Sequence, residues 1–180
     1  MLRSLIAGIS VLLLPTVVAH GQAPDRERGS DGVYRVRTTA DRVAIVNAVL
    51  DARVQQFGQP LAVGPCSLAT ILGPGLDIAA NLSPANRKRL LPKPDQCPGR
   101  MPARVNAGTV RLDFEKLGYE SSEFITGAER VAPRETGLVV LTVLATTNGS
   151  EFHYEDWVMR KNLVGIWSVA TIRMYDFAAQ

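Results

Sequence analysis

Two histidines, His20 and His153, and two cysteines, Cys66 and Cys97, are all that 180 residues offer of these side chains. Histidine is the usual general base near neutral pH, so acid–base chemistry has little to build on. No Gly-x-Ser-x-Gly elbow presents a serine to His153. The cysteines do not form a Cys-x-x-Cys pair and have no histidine near them in sequence, which leaves redox and zinc readings without a motif. Gly73-Pro74-Gly75 lacks the strand, the spacing and the lysine of a phosphate loop and reads as a turn. No cofactor and no metal are implied.

Long apolar runs are scarce as well. Leu5 to Leu14, behind Arg3 and ended by Pro15, is half the roughly 20 residues that a membrane span requires. Its place and flanks read as a secretory signal, and Val17-Val18-Ala19 fits cleavage after Ala19. The expected organisation is a signal peptide over 1–19, a flexible polar leader over 20–31 and a single α+β domain over 32–180. The expected location is periplasmic or secreted, with no stable membrane insertion after cleavage. Export places Cys66 and Cys97 where a pair normally bridges. In the chain-entropy model a bridge closing a loop of that length stabilises by roughly 3 to 4 kcal/mol. The enclosed stretch, broken by Gly73-Pro74-Gly75, Pro92, Pro94 and Pro98, benefits from such a link.

Charge of one sign is lacking too: 20 basic residues face 17 acidic ones, and Arg3 belongs to the signal. The only dense basic cluster, Asn86-Arg87-Lys88-Arg89, has no aromatic interleaving and reads as a solvated helix face, so nucleic acid is not an expected partner.

What is present is periodicity. After Thr38 and Thr39 as N-caps, Val43, Val46, Leu50, Val54 and Phe57 recur at helical spacing until Gly58, which predicts one long helix buried by that stripe with Arg53 off it. Gln59 to Val63 has the makings of a short strand. Ser83-Pro84 opens a second helix that Pro92 stops. From Thr109 the period becomes two, with Val110, Leu112 and Phe114 opposed to Arg111, Asp113 and Glu115. Leu138 to Ala145 suits a central strand, Asn148-Gly149 a two-residue type I′ turn, and Glu151 to Arg160 the returning partner. A turn at Asn162 and Gly165 leads into Ile166 to Arg173, where Trp167 is expected to pack against the helix. The predicted fold is α+β: one long N-terminal helix on a C-terminal antiparallel meander, with a disulfide-closed Pro/Gly-rich middle segment.

That order, with Gly165-Ile166-Trp167-Ser168-Val169 opening the last strand, resembles the NTF2-like and cystatin-like α+β group, which includes exported bacterial members. The likeness covers about residues 107–175. It implies a sheet curved over the helix, and some relatives are enzymes with a carboxylate general base, for which Asp156 or Asp113 are the nearest positions.

His153, Glu155 and Asp156 crowd one strand, but alternation puts Asp156 on the opposite face, so a solvated charged surface is expected rather than a metal site. Phe152, Tyr154, Trp157 and Trp167 read as cross-strand packing or as an aromatic wall for an apolar ligand. The ligand-binding candidates are His153, Tyr154, Asp156 and Trp157. The expected function is an exported, non-enzymatic binding or accessory domain for a small apolar ligand or a protein partner. The alternative is a small isomerase- or dehydratase-type enzyme.

Overall fold

The computed structural model describes residues 26–28, 34–36, 38–92, 105–120, 137–147 and 151–176. Among these residues eleven elements follow in chain order: β1 Arg26–Arg28, β2 Tyr34–Val36, α1 Thr39–Phe57, β3 Leu61–Val63, α2 Pro65–Leu72, α3 Ile78–Asn81, α4 Pro84–Arg87, β4 Val110–Tyr119, β5 Leu138–Thr147, β6 Glu151–Lys161 and β7 Trp167–Asp176. The chain is thus α+β, as its periodicity predicts. The expected signal peptide lies outside the described residues. Within the expected leader, Arg26–Arg28 instead forms a strand paired antiparallel with β2.

Five strands make one sheet in the order β3-β4-β5-β6-β7. β4 to β7 form the antiparallel meander, while β3 joins its edge in parallel, Leu61 opposite Val110 and Val63 opposite Leu112. The β-branched run Leu138–Thr147 takes the central position, with a strand on each side, and its buried residues alternate with half-buried ones along most of its length. Asn148-Gly149 lies outside the described residues. The ladder around it closes on Thr147 and Glu151, which leaves three residues between strands rather than the two of a type I′ hairpin. A bulge at Glu115 shifts the β4 register, so that Phe114 and Leu117 face inward on its two sides. The Ser67 hydroxyl of α2 accepts the Phe114 N–H there at 2.9 Å, satisfying a donor that the short β3 does not reach.

α1 begins where Thr38 Oγ1 accepts the Asp41 N–H and ends at Gly58, whose φ of 61° suits a residue without Cβ. Its buried stripe is Ile45, Val46, Val49, Leu50 and Arg53. This corrects the expected face. Val46 and Leu50 hold, Val43 and Val54 are only partly buried, and Arg53, expected outside, is 2% exposed. The reason is a counter-charge beneath the helix, which a stripe drawn from apolar residues alone does not anticipate. Trp167 packs against α1 as expected.

Between α1 and β4 the chain is more helical than its glycines and prolines suggest. α2 and α3 went unpredicted, although Pro65 at the first turn and Leu68, Ile71 and Leu72 at spacings of three and one describe an amphipathic turn pair. α4 has its expected Ser83 cap and Pro84 start but runs only to Arg87. Asn86 is fully buried rather than solvated; its Nδ2 donates to Asn47 Oδ1 at 3.1 Å, and that oxygen also accepts the Ser83 N–H at 2.9 Å. These bonds tie the short helices to α1.

Cys66 sits half-buried in the first turn of α2, and no cysteine among the described residues is free. Cys97 lies outside the described residues.

Candidate functional site

Two places stand out, a buried charged cluster and an apolar groove. The first lies where the C-terminal half of α1 crosses β6. Side chains at His153, Glu155, Trp157 and Met159 alternate onto the sheet face that meets the helix, and Arg53 descends from α1 to meet them. Arg53 Nη2 donates to Glu155 Oε1 at 2.7 Å, and its Nε lies 3.1 and 3.0 Å from Oε1 and Oε2. The Trp157 indole N–H donates to Oε2 at 3.0 Å, and His153 Nε2 lies 2.9 Å from Oε1. The Arg53 guanidinium stands 4.7 Å from the Phe57 ring centre. A buried carboxylate so surrounded has its acceptor capacity used, which is what its burial requires. Arg53 Nη1 alone has no hydrogen-bond partner.

This arrangement separates the four expected ligand-binding residues. His153 and Trp157 point inward; Tyr154 and Asp156 point outward. Trp157 is fully buried, so it presents no ring face to a ligand. Asp156 accepts the Thr142 hydroxyl at 2.6 Å on the outer face. The expected solvated face at His153 and Glu155 is corrected in part: His153 keeps 18% side-chain exposure, while Glu155 has none. Asp113 is bound by Arg111 Nη2 at 2.9 Å. A Cβ at Gly64 would fall on the Asp113 carboxylate, so a larger residue there would have to displace that side chain. Among the described residues no group of three or more histidine, cysteine or acidic side chains could hold a metal ion.

The second place is a groove of about 650 Å³ beside α2 and α3. Cys66, Ala69, Leu76, Ile78, Leu90 and Leu91 are among its walls, and Asp77 is the single charged lining residue among the described ones. Pocket volumes of about 300 to 1,000 Å³ with mostly apolar walls suit small molecules. Asp77 is partly committed as the cap of α3, where its Oδ1 accepts the Ala80 N–H at 3.1 Å. Compared with protein-family models, curated proteins and solved structures, the chain has no match.

Sequence reasoning missed both the groove and the Arg53–Glu155 pair. The groove depends on helices that the Gly-Pro punctuation hid. The pair had a signal: Glu155 stands two residues before Trp157 and four before Met159 on one strand face, and Arg53 stands eight after Ile45 and four after Val49 on one helix face. A cation and an anion, each in phase with apolar neighbours, mark a buried pair.

Proposed function

We propose that the chain is an exported, non-enzymatic binding domain, working in the periplasm or outside the cell, whose α2–α3 groove takes a small apolar ligand. The groove's volume and the mostly apolar character of its described lining residues support this reading. Cys66 forms part of that wall, and its bridge to Cys97 belongs to the same proposal. The NTF2-like or cystatin-like kinship is retained as a reading of the strand order and of the Gly165-Ile166-Trp167-Ser168-Val169 entry into β7. The alternative, a carboxylate-base enzyme, draws less support. Asp113 is paired with Arg111, Asp156 with Thr142, and Glu155 with three donors.

The test is titration with a fluorescent apolar probe, N-phenyl-1-naphthylamine. The wild-type protein should enhance its emission saturably. Ala69→Trp, which fills the groove from α2, should abolish the enhancement while leaving the unfolding midpoint nearly in place. Enhancement equal in both proteins, or none in the wild type, overturns the groove as the ligand site.

A further inference from the structure

β7 ends the sheet, with β6 on one side and no strand on the other among the described residues. Its ten residues, Trp167–Asp176, include neither proline nor lysine, two of the residues that guard an edge; the charges it has are Arg173 and Asp176, and it carries one bulge. Ser168, Ala170, Thr171, Met174 and Tyr175 are exposed along it. Five of the six large hydrophobic side chains exposed among the described residues, Leu163, Val164, Ile166, Met174 and Tyr175, lie on this strand or on the turn that feeds it. The turn holds its apolar side chains out by a defined geometry. Asn162 Oδ1 accepts the N–H groups of Val164 and Ile166 at 3.1 and 2.8 Å, and Gly165 takes φ 86°. Turns more commonly carry polar residues, and an apolar patch on a ready backbone edge marks an interaction surface.

The strand's own pattern identifies the partner. Opposite β6, Val158 pairs with Thr171 and Met159 with Val169, so Ala170 is an extra residue that reverses the alternation halfway along. Trp167 and Val169 before it share the inner face with Ile172 and Met174 after it; Ser168 shares the outer face with Arg173 and Tyr175, and the exposed Ile166 directly precedes the strand. We propose that β7 pairs antiparallel with β7 of a second copy of this chain, about a two-fold axis between Ala170 and Thr171. Ile166 then stands opposite Tyr175, Trp167 opposite Met174, Ser168 opposite Arg173 and Val169 opposite Ile172. The three pairs within the strand are matched in face, and the exposed Ile166 just before the strand meets the exposed Tyr175 near its other end. Without the bulge, the same alignment would set inward side chains against outward ones. Arg173 is bound within its own chain to Glu120 at 2.8 Å and opposes a neutral serine, so no like charges face each other. An isologous contact of this kind closes on itself as a dimer with a ten-stranded sheet, the unit edge removed. This pairing does not depend on the α2–α3 groove.

Sedimentation velocity over a concentration series tests it, with two charged double variants. Ile166→Lys with Tyr175→Lys sets cation against cation at both ends of the strand pair, and Ile166→Glu with Tyr175→Glu sets anion against anion. The wild type should sediment as a dimer, each double variant as a folded monomer by circular dichroism, and their mixture as a dimer again, because each lysine then opposes a glutamate. A wild type that stays monomeric, a double variant that still dimerises, or a mixture that does not pair would overturn the proposal. Should the charged variants fail to fold, Ile166→Cys with Tyr175→Cys supplies a second readout: oxidation should link two copies covalently where the wild type gives no such product, and absence of that product overturns the register.

Discussion

The two ends of the helix–sheet interface solve the same problem with the same parts. At the C-terminal half of α1, Glu155 receives the Trp157 indole N–H and the Arg53 guanidinium, which also faces the Phe57 ring. At the N-terminal end, Asp41 Oδ1 receives the Trp167 indole N–H at 2.8 Å and Lys161 Nζ at 2.7 Å, and Lys161 lies 5.6 Å from the Trp167 ring centre. Both tryptophans of the chain are spent this way. What differs is water. Glu155 and Arg53 are 0% and 2% exposed, Asp41 and Lys161 14% and 33%. The cation follows the burial. Arginine's flat fork can be satisfied by a carboxylate in a dry place, whereas the strongly hydrated ammonium of lysine stays at the rim. The inner assembly therefore fixes how helix and sheet fit, at a desolvation cost, and the outer one acts as a clasp that solvent weakens.

The largest expected effect tests the dry end. Glu155→Ala strands a buried guanidinium and should cost about 3 to 5 kcal/mol in urea unfolding, and Arg53→Ala should cost a similar amount by stranding the carboxylate. Replacing both together, Arg53→Met with Glu155→Leu, should recover most of that loss, since an apolar pair of similar volume avoids the desolvation. A double variant as unstable as either single one would show that the pair contributes net stability, and the contrast between the two ends would narrow.

How much of this was legible in the sequence follows the same division. Strand periods, caps and the tryptophan contact at the rim could be read because apolar residues and turn formers report them directly: Thr38, Gly58, Ser83 and Trp167 all stand where their side-chain chemistry places them. The dry pair was not legible, because a single residue's polarity predicts exposure and Arg53 and Glu155 are buried only by virtue of each other. The same reasoning covers Asn86, which is buried because Asn47 accepts its amide. The helices α2 and α3 were missed for another reason: each is so short that glycine and proline spacing outweighs apolar period.

A middle-sized effect compares the two indoles. Trp157→Phe keeps a ring but takes one donor from a carboxylate with no access to water, so it should cost about 2 kcal/mol. Trp167→Phe removes the same bond from Asp41, where solvent and Lys161 can compensate, and should cost roughly half as much. Equal costs, read from denaturant midpoints at matched slopes, would mean that exposure does not grade these bonds.

The smallest effect belongs to the clasp and depends on pH. Burial acts to raise the Asp41 pKa, but hydrogen bonds from Lys161, Trp167 and Thr38, with the charge of Lys161, outweigh it and hold the carboxyl below its ordinary value of 3.8. A group whose pKa falls on folding stabilises the native state above its unfolded value and loses that contribution as pH drops through the folded one. Asp41 also stands in the first turn of α1, where a negative charge meets the positive end of the helix dipole. Asp41→Asn should therefore cost about 1 kcal/mol at neutral pH and low salt, less at high salt. Below the ordinary aspartate range the wild-type advantage should shrink and then vanish, because both proteins then carry an uncharged side chain at this position. Parallel urea titrations of the two proteins from neutral to strongly acidic buffer read this directly: curves that converge on acidification assign the clasp to the Asp41 charge, and a gap constant with pH assigns it to packing alone.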